Sequence, residues 1–304
     1  MSLKLLLGGL VLILGFNLQG ERLIAETLPP EESLKPLNIN LTKIYPSLKT
    51  KTLHNDIAES YIVLDLNTGE TIVSKNSENP YPLASLTKLM TAYLSSKTTN
   101  LSRILTVPPS LPPVPENLAG IEASERYSLL DCLRALLVYS ANDMAYLLAS
   151  ENGQLNDFVE MMNNEAKKFN LNSFVFVDPA GLSLQNQGSA RDVALLLTLL
   201  SKNPALKEIL ASASVTIKEQ TRGEVKTFNS TSVIFSKLTN ERLIANKTGF
   251  LPESGYNYAG IFEFLDGRRL AVVIFKANPP SKQGAIEAVF KLFSSLENFS
   301  SPNF

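Results

Sequence analysis

The stretch Pro82-Leu-Ala-Ser-Leu-Thr-Lys-Leu-Met-Thr-Ala92 decides how the rest of the chain is read. Ser85 and Lys88 stand three residues apart in a run that reads as the start of a helix. Pro82 falls where a proline is tolerated, just before or inside the first turn. At that spacing two side chains share a helix face, so a hydroxyl and an ammonium become neighbours. Ser85 would lie near the positive end of the helix dipole, beside a lysine that can serve as its base. Serine and lysine are common surface residues, so the pair gains its weight from two motifs further along the chain.

These motifs, Ser140-Ala-Asn142 and Lys247-Thr-Gly249, come in a consistent order. S-x-N alone proves little, because Ser74-Lys-Asn76 and Ser201-Lys-Asn203 match it too. Ser140 is preferred for its context, Leu136-Leu-Val-Tyr-Ser-Ala-Asn-Asp-Met-Ala145, where an amphipathic helix gives way to the motif. S-x-x-K, S-D-N and K-T-G together are the signature of penicillin-binding proteins and class A β-lactamases.

Composition removes other mechanisms. The only histidine is His54, ahead of the first strand. A Ser-His-Asp triad or a histidine-rich zinc site needs histidine inside the domain, so a catalytic serine here must be activated by lysine. Net charge is −1, which gives no reason to expect nucleic acid. The single cysteine, Cys132, rules out an internal disulfide and falls in an apolar pattern that reads as core.

The N-terminal residues come before any fold. Lys4 precedes an apolar run, Leu5 to Leu18, broken only by glycine and Asn17. That is a signal-peptide core in length, short of the ~20 residues of a spanning helix. Residues 1–25 are therefore a signal peptide or an N-terminal anchor, and with no cysteine after the run a lipoprotein anchor is excluded. Residues 26–55, with Pro29, Pro30, Pro36 and Pro46, read as a tether. The folded domain then covers 56–300, ample for a sizeable core.

Within it, Tyr61-Ile-Val-Leu-Asp-Leu and Thr71-Ile-Val-Ser read as strands around the turn Asn67-Thr-Gly-Glu70. Helical periodicity runs through 127–139, 143–150, 154–169 and 190–202, with Asp192 at a helix start. Pro108, Pro109, Pro112, Pro113 and Pro115 make a stiff, exposed loop before the first of these, read as plain surface in preference to a border of the cleft. Strand signals return at 214–218, 224–228, 258–264 and 269–275, and a last helix at about 283–297. The expected architecture is α+β, an antiparallel sheet built from both chain ends with a helical insertion over about 91–200.

The chain resembles the D-alanyl-D-alanine carboxypeptidases, low-molecular-mass penicillin-binding serine peptidases with a β-lactamase/transpeptidase-like fold. Beyond the three motifs, Tyr61–Glu70, Phe158–Ala166 and Phe176-Val-Asp-Pro-Ala-Gly-Leu182 resemble family segments, covering roughly residues 56–295. The resemblance implies acyl transfer through a covalent acyl-serine on Ser85, released to water. Lys88 is then the base, and needs its pKa driven well below ~10.4 by burial and by Lys247 as a second cation. Ser140 would pass a proton toward the leaving amine, and Asn142 would hold Lys88 and the substrate amide. Thr248 would offer a hydroxyl to the substrate's terminal carboxylate, and Gly249 would let a peptide approach an edge strand. The backbone amides of Ser85 and Phe250 would hold the oxyanion.

The implied partner is a peptidoglycan stem peptide, with β-lactam antibiotics as covalent inhibitors and neither metal nor cofactor. The implied location is exported, in the periplasm or on the outer face of the cytoplasmic membrane, with the N-terminal segment as the means of any membrane attachment. Two departures stand out. Where the family often carries a carboxylate-binding arginine before the last helix, this chain reads Pro279-Pro-Ser-Lys-Gln-Gly284, so that either Lys282 substitutes or nothing does. Asp178-Pro-Ala-Gly181 lacks the family's usual histidine, a difference expected to matter little. An endopeptidase on D-Ala cross-links is the nearest alternative. A β-lactamase and a non-catalytic wall-binding homologue come further behind, since Glu151 lies too close to Asn142 to serve as a deacylating glutamate.

Overall fold

A computed structural model describes residues 57–98, 100–151, 153–238 and 241–296. The leader, the tether and His54 lie outside the described residues. The strands are β1 (Ala58–Asp65), β2 (Thr71–Lys75), β3 (Tyr81–Pro82), β4 (Ile104–Thr106), β5 (Arg126–Ser128), β6 (Gln187–Gly188), β7 (Ser214–Lys218), β8 (Val225–Asn229), β9 (Arg242–Leu251), β10 (Gly255–Glu263) and β11 (Arg269–Ala277). The helices are α1 (Lys88–Ser95), α2 (Leu129–Arg134), α3 (Asn142–Ser150), α4 (Leu155–Lys168), α5 (Ala190–Leu200), α6 (Pro204–Leu210) and α7 (Lys282–Ser294).

Five strands form one antiparallel sheet in the order β2-β1-β11-β10-β9, so the first and last parts of the described chain meet where β1 pairs with β11. The central strand β11 reads Leu270-Ala-Val-Val-Ile-Phe275 without polar alternation because both its faces are covered. Ala271, Val273 and Phe275 face the core shared with α1, α3 and α5, while Leu270, Val272 and Ile274 face the core under α7. β10 alternates in the same way, Ala259 and Ile261 to one side, Tyr258 and Phe262 to the other. Helices thus lie on both faces of an antiparallel sheet, and the fold class is α+β.

Several boundaries differ from expectation for local reasons. The expected helix over 127–139 begins only at Leu129, because Arg126–Ser128 pairs with Ile104–Thr106 as a short strand. Ser128 Oγ then caps the helix by accepting from Asp131 N at 3.0 Å. From Ala135 to Tyr139 the helix widens into a π turn, a form often found at functional sites. Helix α6 was not expected, although Asn203 capping a helix with Pro204 in its first turn is a sequence signal for one. Asp192 does sit in the first turn of α5, after the cap Ser189, and its Oδ2 also accepts from Ser173 N and Oγ. Cys132 is fully buried. Among the described residues no helix is long and apolar enough to cross a membrane.

Candidate active site

Ser85 lies on a 3₁₀ turn, Ala84–Thr87, and α1 starts only at Lys88. In a 3₁₀ turn residues i and i+3 eclipse, which is closer than the helical stacking expected from the sequence. Lys88 Nζ consequently sits 2.8 Å from Ser85 Oγ. The turn is seated by its neighbours. Asn257 on β10 donates through Nδ2 to Pro82 O at 2.9 Å, and Leu83 N donates to Asn186 O at 2.8 Å.

Lys88 is fully buried, and its Nζ also donates to Ala180 O at 2.7 Å. Burial pulls its pKa down to about 7, while the carboxylates of Asp178 and Asp143 pull the other way. A buried ammonium is costly, so the amine is close to neutral at physiological pH and has a lone pair to offer. The lysine expected to lower it further, Lys247, is itself buried. Its Nζ donates to Ser140 Oγ and to Thr248 O, each at 2.9 Å. Burial first and Lys88 second lower the pKa of Lys247 well below the usual lysine range, and no carboxylate counters this. The sequence reading has Lys247 as the charged partner of a neutral Lys88, and burial works against that charge. Both lysines are pushed toward neutrality, and it is Lys88 that has acidic neighbours.

Ser140 terminates the π turn with φ +70° and ψ 33°, a left-handed conformation that costs a non-glycine residue on the order of 1–3 kcal/mol. The turn swings its hydroxyl away from the helix axis and onto Lys247. Lys247, Thr248 and Gly249 lie on β9, an edge strand of the sheet, with Phe250 next along it. A Cβ on Gly249 would stand 2.9 Å from Leu83 O and 3.4 Å from Ala84 Cβ. Gly249 thus allows a close approach of β9 to the protein's own Ser85 turn. Phe250 is 48 % exposed and stacks on Tyr256 with 4.3 Å between ring centroids.

With that geometry in hand the chain can be placed among known proteins. A family profile described as "D-alanyl-D-alanine carboxypeptidase" matches residues 48–278. The chain belongs to that family. It is 33% identical over 202 residues to a "D-alanyl-D-alanine endopeptidase" of Pseudomonas aeruginosa, covering 65% of this chain and 64% of the relative. It is 30% identical over 252 residues to the "D-alanyl-D-alanine carboxypeptidase DacD" of Escherichia coli, covering 77% of this chain and 62% of the relative. The chain therefore spans a little under two thirds of the length of these curated relatives. Among solved structures, the ampicillin-bound penicillin-binding protein D2 of Listeria monocytogenes matches with a TM-score of 0.67 and 26% identity, covering 82% of this chain and 98% of that one.

Two features of this carboxypeptidase-family site are not evident from the motifs. The loop Asp178-Pro-Ala-Gly181, noted in the sequence for its missing histidine, supplies the carbonyl that receives Lys88. Asp178 Oδ1 accepts from the backbone N–H groups of Ala180, Gly181 and Leu182, and Oδ2 accepts from Ser183 N and Asn186 Nδ2. Gly181 is required at φ +81°, where a Cβ would lie 1.8 Å from Ala84 O. A backbone acceptor such as Ala180 O leaves no mark in a sequence; the Asp-Pro-x-Gly turn around it does.

The other feature is the proline-rich loop, expected to be plain surface. Its end is bonded to the S-x-N motif itself. Asn142 Nδ2 donates to Pro115 O at 2.9 Å and Glu116 O at 3.1 Å, and Asn142 N donates to Asn117 O at 2.9 Å. Asp143 accepts from Ala119 N and Gly120 N. Asn142 gives its amide donors to this loop and Lys88 donates to Ser85 and Ala180; among the described residues no hydrogen bond joins Asn142 to Lys88 as expected. Lys282 stands at the first position of α7 and is exposed. Glu151 pairs with Arg103 at 2.7 Å.

Proposed function

We propose that this chain is a serine-type D-Ala-D-Ala carboxypeptidase that removes the terminal D-alanine of peptidoglycan stem peptides through an acyl-serine intermediate. The observation that carries this is a fully buried Lys88 with Nζ 2.8 Å from a half-buried Ser85 Oγ, in a chain whose only histidine, His54, precedes the domain. Lys88, neutral above about pH 7, takes the Ser85 proton as Oγ attacks the carbonyl. The amides of Ser85 and Phe250 hold the oxyanion, and Ser140 hands a proton to the departing D-alanine amine. The substrate carboxylate is held by Thr248 and Lys247. Its charge restores the Lys247 ammonium that burial disfavours. Asn142 holds the loop from Pro115 to Asn117 against the cleft, and Gly249 lets β9 seat the Ser85 turn. Water then releases the acyl group.

The relatives' names support both carboxypeptidase and endopeptidase activity, so cutting of D-Ala cross-links by the same chemistry is the second reading. The ampicillin complex of the Listeria relative supports β-lactams as covalent inhibitors. The engagement of Glu151 with Arg103 speaks against a β-lactamase. Export is proposed, with residues 1–25 as signal or anchor and 56–300 as the catalytic domain. A chain lacking residues 1–25 is expected to stay soluble and acylate normally. The deciding experiment is labelled-penicillin acylation together with D-alanine release from monomeric and cross-linked stem peptides. Labelling that persists in Ser85→Ala would overturn the nucleophile, and release from cross-linked substrate alone would favour the endopeptidase.

A further inference from the structure

The carboxylate end of the site has a hydroxyl that none of the sequence motifs contains. Thr231 lies just beyond β8, and its Oγ1 is 2.5 Å from Thr248 Oγ1. Its backbone N–H donates to Val138 O at 3.1 Å, inside the π turn that delivers Ser140. One residue therefore touches both the segment leading to Ser140 and the K-T-G strand. Thr231, Lys247 and Thr248 also line one shallow surface recess, with Val138 and Asn246 beside them.

We propose that Thr231 is a positioning residue for the substrate carboxylate, fixing the direction in which Thr248 donates. This rests on the carboxypeptidase reading of the site. A threonine hydroxyl has one proton and two lone pairs, and its rotor is otherwise free. When Thr231 donates to Thr248, the Thr248 proton is left to point elsewhere. A carboxylate in the cleft accepts it. Two hydroxyls in series polarise one another, so the outer one donates more strongly. The tie matters here because Lys282, the one basic residue in the stretch Pro279–Gly284, sits exposed at the start of α7, whereas Thr231 is built into the site.

The test uses the full chain and two thioester probes, an acyl-D-alanyl-thioglycolate and its methyl ester, which differ only in the leaving-group carboxylate. The readout is the ratio of kcat/KM for acid over ester, measured by thiol release. Thr231→Val keeps the shape and removes the hydroxyl; the ratio is expected to fall about tenfold, the scale of one net hydrogen bond. Thr231→Ser keeps the hydroxyl and is expected to restore most of the ratio. An unaltered ratio in Thr231→Val, or equal losses on acid and ester, overturns the inference. So does Thr231→Ser behaving like Thr231→Val; should the valine variant fail to fold, a serine variant with a tenfold lower ratio overturns it alone. A wild-type chain that acylates neither probe nor penicillin overturns the carboxypeptidase reading, a failure seen before any variant is made.

Discussion

Asp178→Asn is the perturbation that tests most of the site at once. The two oxygens of Asp178 gather five donors, four backbone N–H groups and Asn186 Nδ2. In the variant the retained oxygen can still accept from Ala180, Gly181 and Leu182. The new NH₂ then faces Ser183 N–H and Asn186 Nδ2, two donors opposed to a donor. Two lost bonds to a charged acceptor at about 1.5–3 kcal/mol each give roughly 3–6 kcal/mol of destabilisation. For a domain of this size that corresponds to a fall in Tm on the order of 10 °C. The same change removes a carboxylate that raises the pKa of Lys88, so Lys88 should lose its proton at lower pH. Penicillin acylation followed across pH should show its acid limb moving below about 7 while the maximal rate drops, because Ala180 O is no longer held. A melting temperature within a degree or two of wild type would refute the cap argument. An acid limb that moves upward would refute the electrostatic one.

Lys88→Arg retains a charge but cannot give up its proton, so acylation measured by stopped-flow should fall by roughly three orders of magnitude or more. Near-normal acylation would remove Lys88 as base. Gly249→Ala places a methyl 2.9 Å from Leu83 O and should lower stability by about 1–3 kcal/mol in urea melts, with a parallel loss of acylation. Lys88 and Lys247 both have folded pKa values below their unfolded ones, so the unfolded chain binds more protons between about pH 7 and the usual lysine range. Stability from chemical denaturation should therefore rise with pH across that window, and a Lys247→Met variant should show a shallower rise.

The parts legible in the sequence are those that side-chain types and spacing encode. The order of Ser85, Ser140 and Lys247, the β1–β2 hairpin and the amphipathic helices are of that kind. What escapes it depends on backbone conformation or on contacts between distant segments. No residue type announces the left-handed Ser140, because serine normally avoids it. Ala180 acts through its carbonyl, which every residue has. The partner of Asn142 differs from expectation because an amide carries both an oxygen that could accept from a lysine and two donors that could hold a loop, and only the placement of Pro115 and Glu116 shows where the donors go. Lys247 is expected to stay charged because charge is the default for lysine, whereas its burial, invisible in the sequence, pushes against that default.

The pairing of β1 with β11 has a consequence in time. Seven register pairs, from Ala58 with Ala277 to Asp65 with Leu270, close the sheet across more than two hundred residues of chain. Contacts that distant form slowly, because a long loop must be closed before they contribute anything. The turn bearing Ser85 is seated by Asn257, and Ser140 is met by Lys247, both contributed by the last strands. A chain emerging from its N-terminus would hold Ser85 and Lys88 long before the strands that seat their turn and meet Ser140. Penicillin acylation would then report that folding has finished, and incomplete chains would be blind to the drug.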